Sequence, residues 1–286
     1  MKKILLTGAQ GQVGWELART LASLGEIHAF GRGELDLTQP DSIRTAMARV
    51  QPDIVVNAAA YTAVDKAEAE PEAAFAVNAT APGILAEEVR RLGALLVHYS
   101  TDYVFDGSKA GAYTEDDPPC PINVYGRSKL AGEEAIRQRG CRHLIFRISW
   151  IYGLRGGNFL LTMLRLARER PELRVVMDQV GAPTWSRLVA EITALALARE
   201  QPPEGLYHLG SEDAVSWAGF AREIFRLSGI PVLVRDIPSS EYPLPARRPL
   251  NSRLCGRRLR DAIGLALPSW QQGLALCLAD ESQDVV

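Results

Sequence analysis

The sequence predicts an α/β fold in which a doubly wound parallel sheet is followed by a smaller, mixed α/β part. Two observations lead to this prediction. Short apolar runs alternate with amphipathic helical stretches through the first half of the 286 residues, and strands separated by helices form parallel sheets that are covered on both faces. After about residue 149, proline and glycine become frequent and the strand signals weaken.

The elements of the first half follow one another regularly. Apolar runs predict five strands, at residues 3–7, 27–30, 54–57, 95–100 and 143–148. Helical periodicity predicts the helices between them, at residues 12–24, 40–49, 73–92 and 125–138. Pro40 suits the first turn of its helix, whereas Pro82 predicts an interruption of the next one.

The second half is more irregular. Periodicity predicts helices at residues 158–168, 185–198 and 217–227, and the proline-rich stretch 231–249 is predicted to be extended or loop. We predict two domains that share elements, with a first domain over residues 1–148, joined by elements from about 185–210, and a second mainly over residues 149–286.

Composition excludes several classes of protein. With 32 Lys and Arg against 34 Asp and Glu, the net charge of −2 does not suggest a nucleic-acid partner. The apolar runs are too short to cross a membrane, and the basic N-terminus lacks the apolar stretch of a secretion signal. The four Cys form no C-x-x-C pair and the four His show no metal spacing. We therefore expect a cytoplasmic protein with free thiols.

A glycine-rich turn follows the first predicted strand. Gly8, Gly11 and Gly14 form a G-x-x-G-x-x-G pattern that opens a helix. Glycine permits the tight turn, the approach of the backbone to a pyrophosphate, and close packing of the helix on the strand. The helix N-terminus offers free amide groups to an anion. This context favours a Rossmann-type dinucleotide-binding domain over an ordinary tight turn.

The end of the second strand indicates which dinucleotide binds. Phe30 is followed by Gly31 and Arg32, without the acidic residue that accepts hydrogen bonds from the ribose of NAD. The Arg32 guanidinium can pair with a 2′-phosphate, and we expect Gly31 to leave space for it. We therefore predict NADPH as the preferred cofactor, with NADH tolerated. The alternative is that Arg32 is a solvated loop residue.

Three side chains predict a carbonyl reductase site. Tyr125 and Lys129 are four residues apart on one helix and hence share a face. Thr101 follows a strand end, where ligands bind in doubly wound sheets. A phenol is a poor acid–base catalyst near neutral pH unless its pKa is shifted. We expect the ammonium of Lys129 and a cationic nicotinamide to lower the pKa of Tyr125, which then supplies a proton while the cofactor supplies a hydride.

Longer stretches resemble the dTDP-4-dehydrorhamnose reductase family of the extended short-chain dehydrogenase/reductase superfamily. The similar blocks read GQVGWEL, PDIVVNAAAYTAVDKAE, STDYVF, NVYG, SW, DQVGAPT and RRPLNS, at residues 11–17, 52–68, 100–105, 123–126, 149–150, 178–184 and 247–252. Several lie outside the motifs common to the superfamily. The resemblance implies NADPH-dependent reduction of the C4 keto group of dTDP-4-dehydro-L-rhamnose to dTDP-L-rhamnose, a precursor of polysaccharides.

The resemblance also implies roles for individual residues. The family's catalytic threonine, tyrosine and lysine match Thr101, Tyr125 and Lys129. Its contacts to the cofactor diphosphate match Gly11, Gln12 and Val13, and those to the adenine side match Asp36 and Leu37. Its contacts beneath the cofactor match Ala60, Tyr61 and Thr62, and the contact near the nicotinamide ribose matches Tyr99. Its sugar-nucleotide contacts match Thr101, Asp102 and Trp150. Trp150 would pack on the sugar ring; the alternative is core packing.

One departure from the family concerns a metal. Members that bind Mg²⁺ at a dimer interface carry a glutamate soon after the DQxGxPT block, where this chain has Arg187. Glu16 and Ser252 are retained, but Mg²⁺ requires oxygen ligands. We therefore predict no bound metal, while the resemblance leaves a homodimer open.

Two other functions fit the same motifs. The chain is also similar to other nucleotide-sugar reductases and epimerases of the superfamily. It resembles, in addition, the dinucleotide-binding regulatory subunit of methionine adenosyltransferase, which acts through a partner protein. The retention of Thr101, Tyr125 and Lys129 favours an enzyme over a regulatory subunit.

We expect Arg32→Ala to weaken the use of NADPH roughly tenfold to a hundredfold, because a charge-assisted contact to the 2′-phosphate is lost. NADH, which lacks this phosphate, should be almost unaffected. The measurement is kcat/KM for both cofactors in both proteins. An equal decrease for the two cofactors would show that Arg32 is a structural or solvated residue.

Overall fold

The computed structural model describes residues 1–211, 213–265 and 267–281. The strands are β1 (Lys2–Thr7), β2 (Gly25–Phe30), β3 (Ile54–Asn57), β4 (Leu95–Thr101), β5 (Arg142–Ile148), β6 (Ile151–Tyr152), β7 (Glu172–Val176), β8 (Val180–Gly181), β9 (Thr184–Trp185), β10 (Gly205–Leu209), β11 (Val215–Ser216) and β12 (Leu233–Ile237). The helices are α1 (Gln12–Thr20), α2 (Pro40–Val50), α3 (Val64–Ala69), α4 (Pro71–Phe75), α5 (Ala81–Leu92), α6 (Val124–Arg139), α7 (Phe159–Ala167), α8 (Ser186–Leu197), α9 (Trp217–Ser228), α10 (Arg257–Ile263) and α11 (Trp270–Glu281).

Six strands form one parallel sheet in the order β10–β5–β4–β3–β1–β2. The chain passes from β1 to β2 on one side and then to β3 on the other, so the strand order reverses beside β1. Doubly wound sheets bind ligands at the carboxyl ends of the strands at such a switch point. The predicted doubly wound fold is confirmed, and its topology places a binding site at the ends of β1 and β3.

The central strands are buried on both faces. Leu5, Val55 and Leu96 belong to the core that α2 and α5 cover. Their neighbours Leu6 and Val56 belong to the core that α1 and α8 cover. Successive side chains of a strand point to opposite faces, so a run of consecutive apolar residues is the pattern that a doubly covered sheet requires.

The stretch predicted as one interrupted helix over residues 73–92 is built from several pieces. A π-helical turn, Ala76–Thr80, separates α4 from α5. Pro82 lies in the first turn of α5, directly after the π-helical turn, so the regular α-helical hydrogen-bond pattern is interrupted next to the proline. The π-helical turn packs closely on α6 at Gly132. A Cβ at this position would lie 2.1 Å from the carbonyl oxygen of Asn78 in the turn.

Elements of the second half return to the sheet. β10 pairs with β5 and forms one edge of the sheet, and α8 packs on α1. Both lie within the segment of about 185–210 that the sequence assigns to the first domain. The other strands form pairs, β6 with β9, β7 with β12, and β8 with β11. One continuous core contains side chains from both halves, so the domain boundary after residue 148 stays a prediction.

A buried ion pair fixes α6 to β5. Arg147 donates to Glu133 from Nε to Oε1 at 2.9 Å and from Nη2 to Oε2 at 2.7 Å. The two side chains are 1% and 0% exposed, and Ser100 Oγ in β4 donates to the same carboxylate. Removal of one partner from such a pair leaves an uncompensated buried charge. The pair therefore holds α6 against the strands that carry the site.

We expect Arg147→Met to destabilise the protein by about 3–5 kcal/mol, because the Glu133 carboxylate loses its cation. The matched control is Arg142→Met in the same strand, which removes an exposed ion pair with Glu204 and should cost less than about 1 kcal/mol. Urea unfolding measures both free energies. Equal losses would show that burial does not govern the importance of the pair.

Candidate active site

A cleft of about 980 Å³ lies at the carboxyl ends of β1, β3 and β4. The glycine-rich turn, the loop after β3, the start of α6 and segments of the second half surround it. All residues singled out in the sequence as cofactor, catalytic or substrate contacts, apart from Gly14, line this cleft: Gly8, Gly11, Gln12, Val13, Arg32, Asp36, Leu37, Ala60, Tyr61, Thr62, Tyr99, Thr101, Asp102, Tyr125, Lys129 and Trp150.

The glycine-rich turn has no space for a side chain at Gly8 or at Gly14. Gly8 has a left-handed backbone with φ of 68°, and a Cβ there would lie 2.7 Å from Ala59 N. A Cβ at Gly14 would lie 2.0 Å from the Gly8 carbonyl oxygen. Gly11 precedes the first turn of α1, whose amide groups receive no side-chain cap. Uncapped amides at a helix N-terminus bind phosphate, so this cradle suits the diphosphate of a dinucleotide.

The corner beside β2 differs in part from expectation. Arg32 is exposed on the turn after the strand. The Gln10 side-chain amide occupies the space beside Gly31, where a Cβ would lie 2.9 Å from Gln10 Nε2, so the room for a phosphate at this corner stays a prediction. An acid does lie near the strand end, since Glu34 Oε2 accepts a hydrogen bond from Gly31 N at 3.0 Å. Glu34 Oε2 is thereby engaged by the backbone, and Arg32 is an exposed cation at the same corner.

Asp36 is held in its turn by Thr38. Asp36 Oδ1 accepts hydrogen bonds from Thr38 N at 2.9 Å and from Thr38 Oγ1 at 2.8 Å. These two hydrogen bonds lower the pKa of Asp36. The neighbouring Leu37 is buried against the core under α2. Asp36 and Leu37 therefore form a fixed edge at this end of the cleft, and the Asp36 side chain is ionised.

The cap of α6 positions Tyr125. Asn123 Oδ1 accepts a hydrogen bond from Gly126 N at 2.7 Å and so begins the helix. Tyr125 lies in this first turn and is hydrogen-bonded to Thr101 at the end of β4. Thr101 Oγ1 also lies 3.0 Å from Asp102 Oδ1. The cap of α6 and the end of β4 thus bring the Tyr125 phenol and the Thr101 hydroxyl together.

Tyr125 titrates differently from expectation. Burial raises its pKa to about 12, and the hydrogen bond with Thr101 opposes only part of the rise. In the protein alone, withdrawal of the phenolate from water outweighs the favourable contacts; the lowering expected with a cationic nicotinamide stays a prediction. A phenol with a raised pKa is protonated at neutral pH, which is the state that a proton donor needs.

Lys129 is buried at the floor of the cleft. Its Nζ donates to the Tyr99 carbonyl oxygen at 2.5 Å and lies 3.4 Å from His98 Nε2. Burial lowers the pKa of Lys129 to about 8, against an opposing effect of Glu133. The Tyr99 hydroxyl contacts Thr193 Oγ1 at 2.8 Å in the core. Tyr99 therefore supports Lys129 through its carbonyl group.

Asp102 is a buried carboxyl group among hydroxyls. It is 3% exposed, and its Oδ2 accepts a hydrogen bond from Ser149 Oγ at 3.0 Å. Burial raises the pKa of Asp102 to about 6, while the hydroxyls of Ser252, Thr101 and Ser149 oppose the rise. The carboxylate is therefore held in place from several sides where β4 ends at the cleft.

Trp150 presents an aromatic surface to the cleft. It stacks on Trp217 with ring centroids 3.4 Å apart and an interplanar angle of 2°. The backbone of Trp150 is left-handed, with φ of 46°, which is uncommon for a bulky residue and typical of functional sites. Gly181 makes room for the ring, because a Cβ there would lie 2.4 Å from Trp150 Cε2.

Several residues of the cleft were missed in the sequence. Trp217, Lys66, Glu70 and Tyr103 also line it. Lys66 Nζ lies 3.0 Å from Glu70 Oε1, and Glu70 Oε2 accepts a hydrogen bond from the Tyr61 hydroxyl at 2.8 Å. Lys66 and Tyr103 belong to blocks that resemble the family, which is a signal that could have identified them. Trp217 has no such local signal.

Comparisons with known proteins agree with this geometry. The family described as RmlD substrate binding domain matches residues 1–283. The dTDP-4-dehydrorhamnose reductase of Burkholderia thailandensis is 50% identical, with 97% of this chain and 98% of the relative covered. The corresponding protein of Escherichia coli is 46% identical, with 95% of each chain covered.

A solved structure is similar over the same length. It is a dTDP-4-dehydrorhamnose reductase from Bacillus anthracis in complex with NADP, with a TM-score of 0.94 and 35% identity. The match covers 98% of this chain and 99% of that one. The resemblance predicted from the sequence is confirmed, and the chain belongs to the dTDP-4-dehydrorhamnose reductase (RmlD) family.

Proposed function

We propose that the chain uses NADPH to reduce the C4 keto group of dTDP-4-dehydro-L-rhamnose and so forms dTDP-L-rhamnose. The observation that carries this proposal is the meeting of Thr101, Tyr125 and Lys129 in the cleft that begins at the glycine cradle. These residues combine a proton donor, a hydroxyl and a cation, which is the set that carbonyl reduction requires. The named relatives support the same activity.

The residues present suit NADPH. The tight turn around Gly8 and Gly11 fits a diphosphate, and Arg32 fits a 2′-phosphate at the far end of the cleft. When bound, NADPH supplies the hydride. Lys129 is placed to donate hydrogen bonds to ribose hydroxyls, since the Tyr99 carbonyl anchors its Nζ on the cleft floor. The NADP complex of the Bacillus anthracis structure supports this assignment.

Tyr125 provides the proton in this mechanism. Its phenol remains protonated at neutral pH because burial raises its pKa, yet it is far more acidic than an alcohol, so it can protonate a nascent alkoxide. Lys129, as an ammonium, stabilises the phenolate that remains. Thr101 lies beside the Tyr125 hydroxyl and binds the reacting oxygen.

The sugar nucleotide occupies the end of the cleft formed by the second half. Asp102 is a buried acceptor whose hydroxyl neighbours fix its orientation, which suits hydrogen bonding to sugar hydroxyls. Trp150, backed by Trp217, offers an aromatic face on which the C–H groups of a sugar ring can pack.

The alternatives are less well supported. The curated relatives are named reductases over nearly the whole chain, which favours reduction over epimerisation. A regulatory subunit has no need of a capped, buried tyrosine beside a buried lysine. We further propose a cytoplasmic location, since Cys120, Cys141, Cys255 and Cys277 form no disulfide bond in the described part of the chain. No helix among residues 1–211, 213–265 and 267–281 combines the length and apolar character needed to span a bilayer. A homodimer stays a prediction.

The Mg²⁺ site of some family members does not fit this chain. Arg187 donates to Glu191 Oε1 at 3.1 Å and to Asp280 Oδ2 at 2.8 Å. Burial raises the pKa of Glu16, and Arg187 is the strongest of the charges that oppose this rise. Ser252 lies instead beside Asp102. A guanidinium thus compensates the carboxylates that a metal ion would otherwise bind.

We expect Tyr125→Phe to keep NADPH binding and to lower turnover by roughly 10²–10⁴-fold, the usual contribution of a positioned acid. Loss of NADPH absorbance with dTDP-4-dehydro-L-rhamnose measures turnover, and NADPH fluorescence measures binding. Turnover of the variant near that of the wild type would refute the role of Tyr125. Absence of turnover by the wild-type protein would refute the proposed function.

We expect activity to survive prolonged treatment with EDTA, because Arg187 supplies the positive charge near Glu16. The contrasting variant is Arg187→Glu, which restores a carboxylate and should be stabilised by Mg²⁺ in thermal melts. Wild-type activity that disappears with EDTA and returns with Mg²⁺ would contradict this assignment.

A further inference from the structure

An ion pair joins the two halves of the chain beside the cleft. Arg248 donates from Nη1 to Asp65 Oδ1 and from Nη2 to Asp65 Oδ2, both at 2.6 Å. Asp65 Oδ1 also accepts a hydrogen bond from Ala246 N at 3.1 Å, and Arg248 Nη1 donates to Ala246 O at 2.7 Å. The Arg248 side chain is only 15% exposed, so this bidentate pair is shielded more than surface pairs are.

The ion pair reaches the proton donor through Tyr103. Burial by itself would lower the pKa of Arg248, but the hydrogen bonds with Asp65 and the electrostatic interaction with Tyr103 raise it above its usual value. The Tyr103 ring lines the cleft and meets the Tyr125 ring edge-on, with centroids 5.8 Å apart and planes at 77°. Aromatic rings favour this arrangement. The Tyr103 side chain therefore lies between the Arg248 guanidinium and the Tyr125 ring.

The same two segments also hold the backbone at the start of α6. Glu68, one helical turn from the aspartate of the ion pair, accepts a hydrogen bond from Val124 N at 2.7 Å. Asn123 Nδ2 donates to the carbonyl oxygen of Arg247 at 2.8 Å. Bonds from α3 and from the C-terminal segment thus converge on the two residues that precede Tyr125.

We propose that Arg248 and Tyr103 are positioning residues for proton transfer, because the Asp65–Arg248 ion pair fixes both the Tyr103 ring and the first turn of α6 around Tyr125. This inference rests on the proposed role of Tyr125 as the proton donor. The glycine cradle lies elsewhere in the cleft, so loss of the pair should misplace the phenol without weakening the hold on NADPH.

The test compares Arg248→Met, Asp65→Asn and the double variant with the control Arg222→Met, which loses an exposed pair with Asp236. We expect Arg248→Met to lower kcat roughly tenfold to a hundredfold, the cost of a small misplacement of a reacting group. KM and Kd for NADPH should stay within about twofold, and the double variant should be no worse than Arg248→Met, since both remove one interaction. The control should keep the wild-type kcat.

A second readout needs no turnover. Hydrogen exchange of the amides at residues 124–128, followed by mass spectrometry, should be faster in Arg248→Met and Asp65→Asn than in Arg222→Met. Asp65→Asn keeps the shape of the aspartate and serves if Arg248→Met does not fold. A wild-type kcat, a parallel loss of NADPH affinity, or unchanged exchange would overturn the inference. An inactive wild-type protein would instead refute the proposed function, and exchange alone would then decide whether the ion pair holds α6.

Discussion

The close approach of α1 to β1 is the constraint on which the cleft depends. Gly14 lies against the Gly8 carbonyl group, and Gly8 lies against Ala59 in the loop after β3, at distances that exclude any Cβ. Three segments therefore form one wall made of backbone, and a diphosphate there meets amide groups and the positive end of a helix dipole. The same approach buries Leu17 of α1 and Leu21, the residue after it, in the core shared with α8. The close contact of α1 with β1 thus forms both the binding wall and part of the core, so a change in one also alters the other.

The two charged residues of α6 beneath the cleft, Glu133 and Lys129, differ in their partners. Glu133 is committed to Arg147, and both are wholly buried. Lys129, one turn earlier on α6, contacts a carbonyl oxygen and an imidazole instead of a carboxylate. Among the described residues, the direct contacts of its Nζ thus include no carboxylate. A lysine in this setting gives up its proton more readily than one on the surface, which its lowered pKa reflects.

The parts of the site that follow from local rules could be predicted from the sequence. Glycine spacing after a first strand and a Tyr–Lys pair on one helix face need no knowledge of tertiary structure, and the apolar runs were enough for the doubly wound sheet. The raised pKa of Tyr125 could not be predicted, because desolvation depends on everything packed around the ring. The filling of the corner at Gly31 by Gln10 and the stacking of Trp217 on Trp150 likewise depend on segments far apart in the chain.

The stacked indoles have a spectroscopic consequence. Two transition dipoles in near-parallel rings, with centroids 3.4 Å apart, couple strongly, so the Trp150–Trp217 pair behaves as one exciton-coupled chromophore. The contribution of such a pair to the circular dichroism of the unlabelled protein depends on the angle between the two dipoles about the stacking axis and on the distance between the rings. A molecule that turns or separates the rings changes that contribution, and occupancy of this end of the cleft becomes visible by light alone.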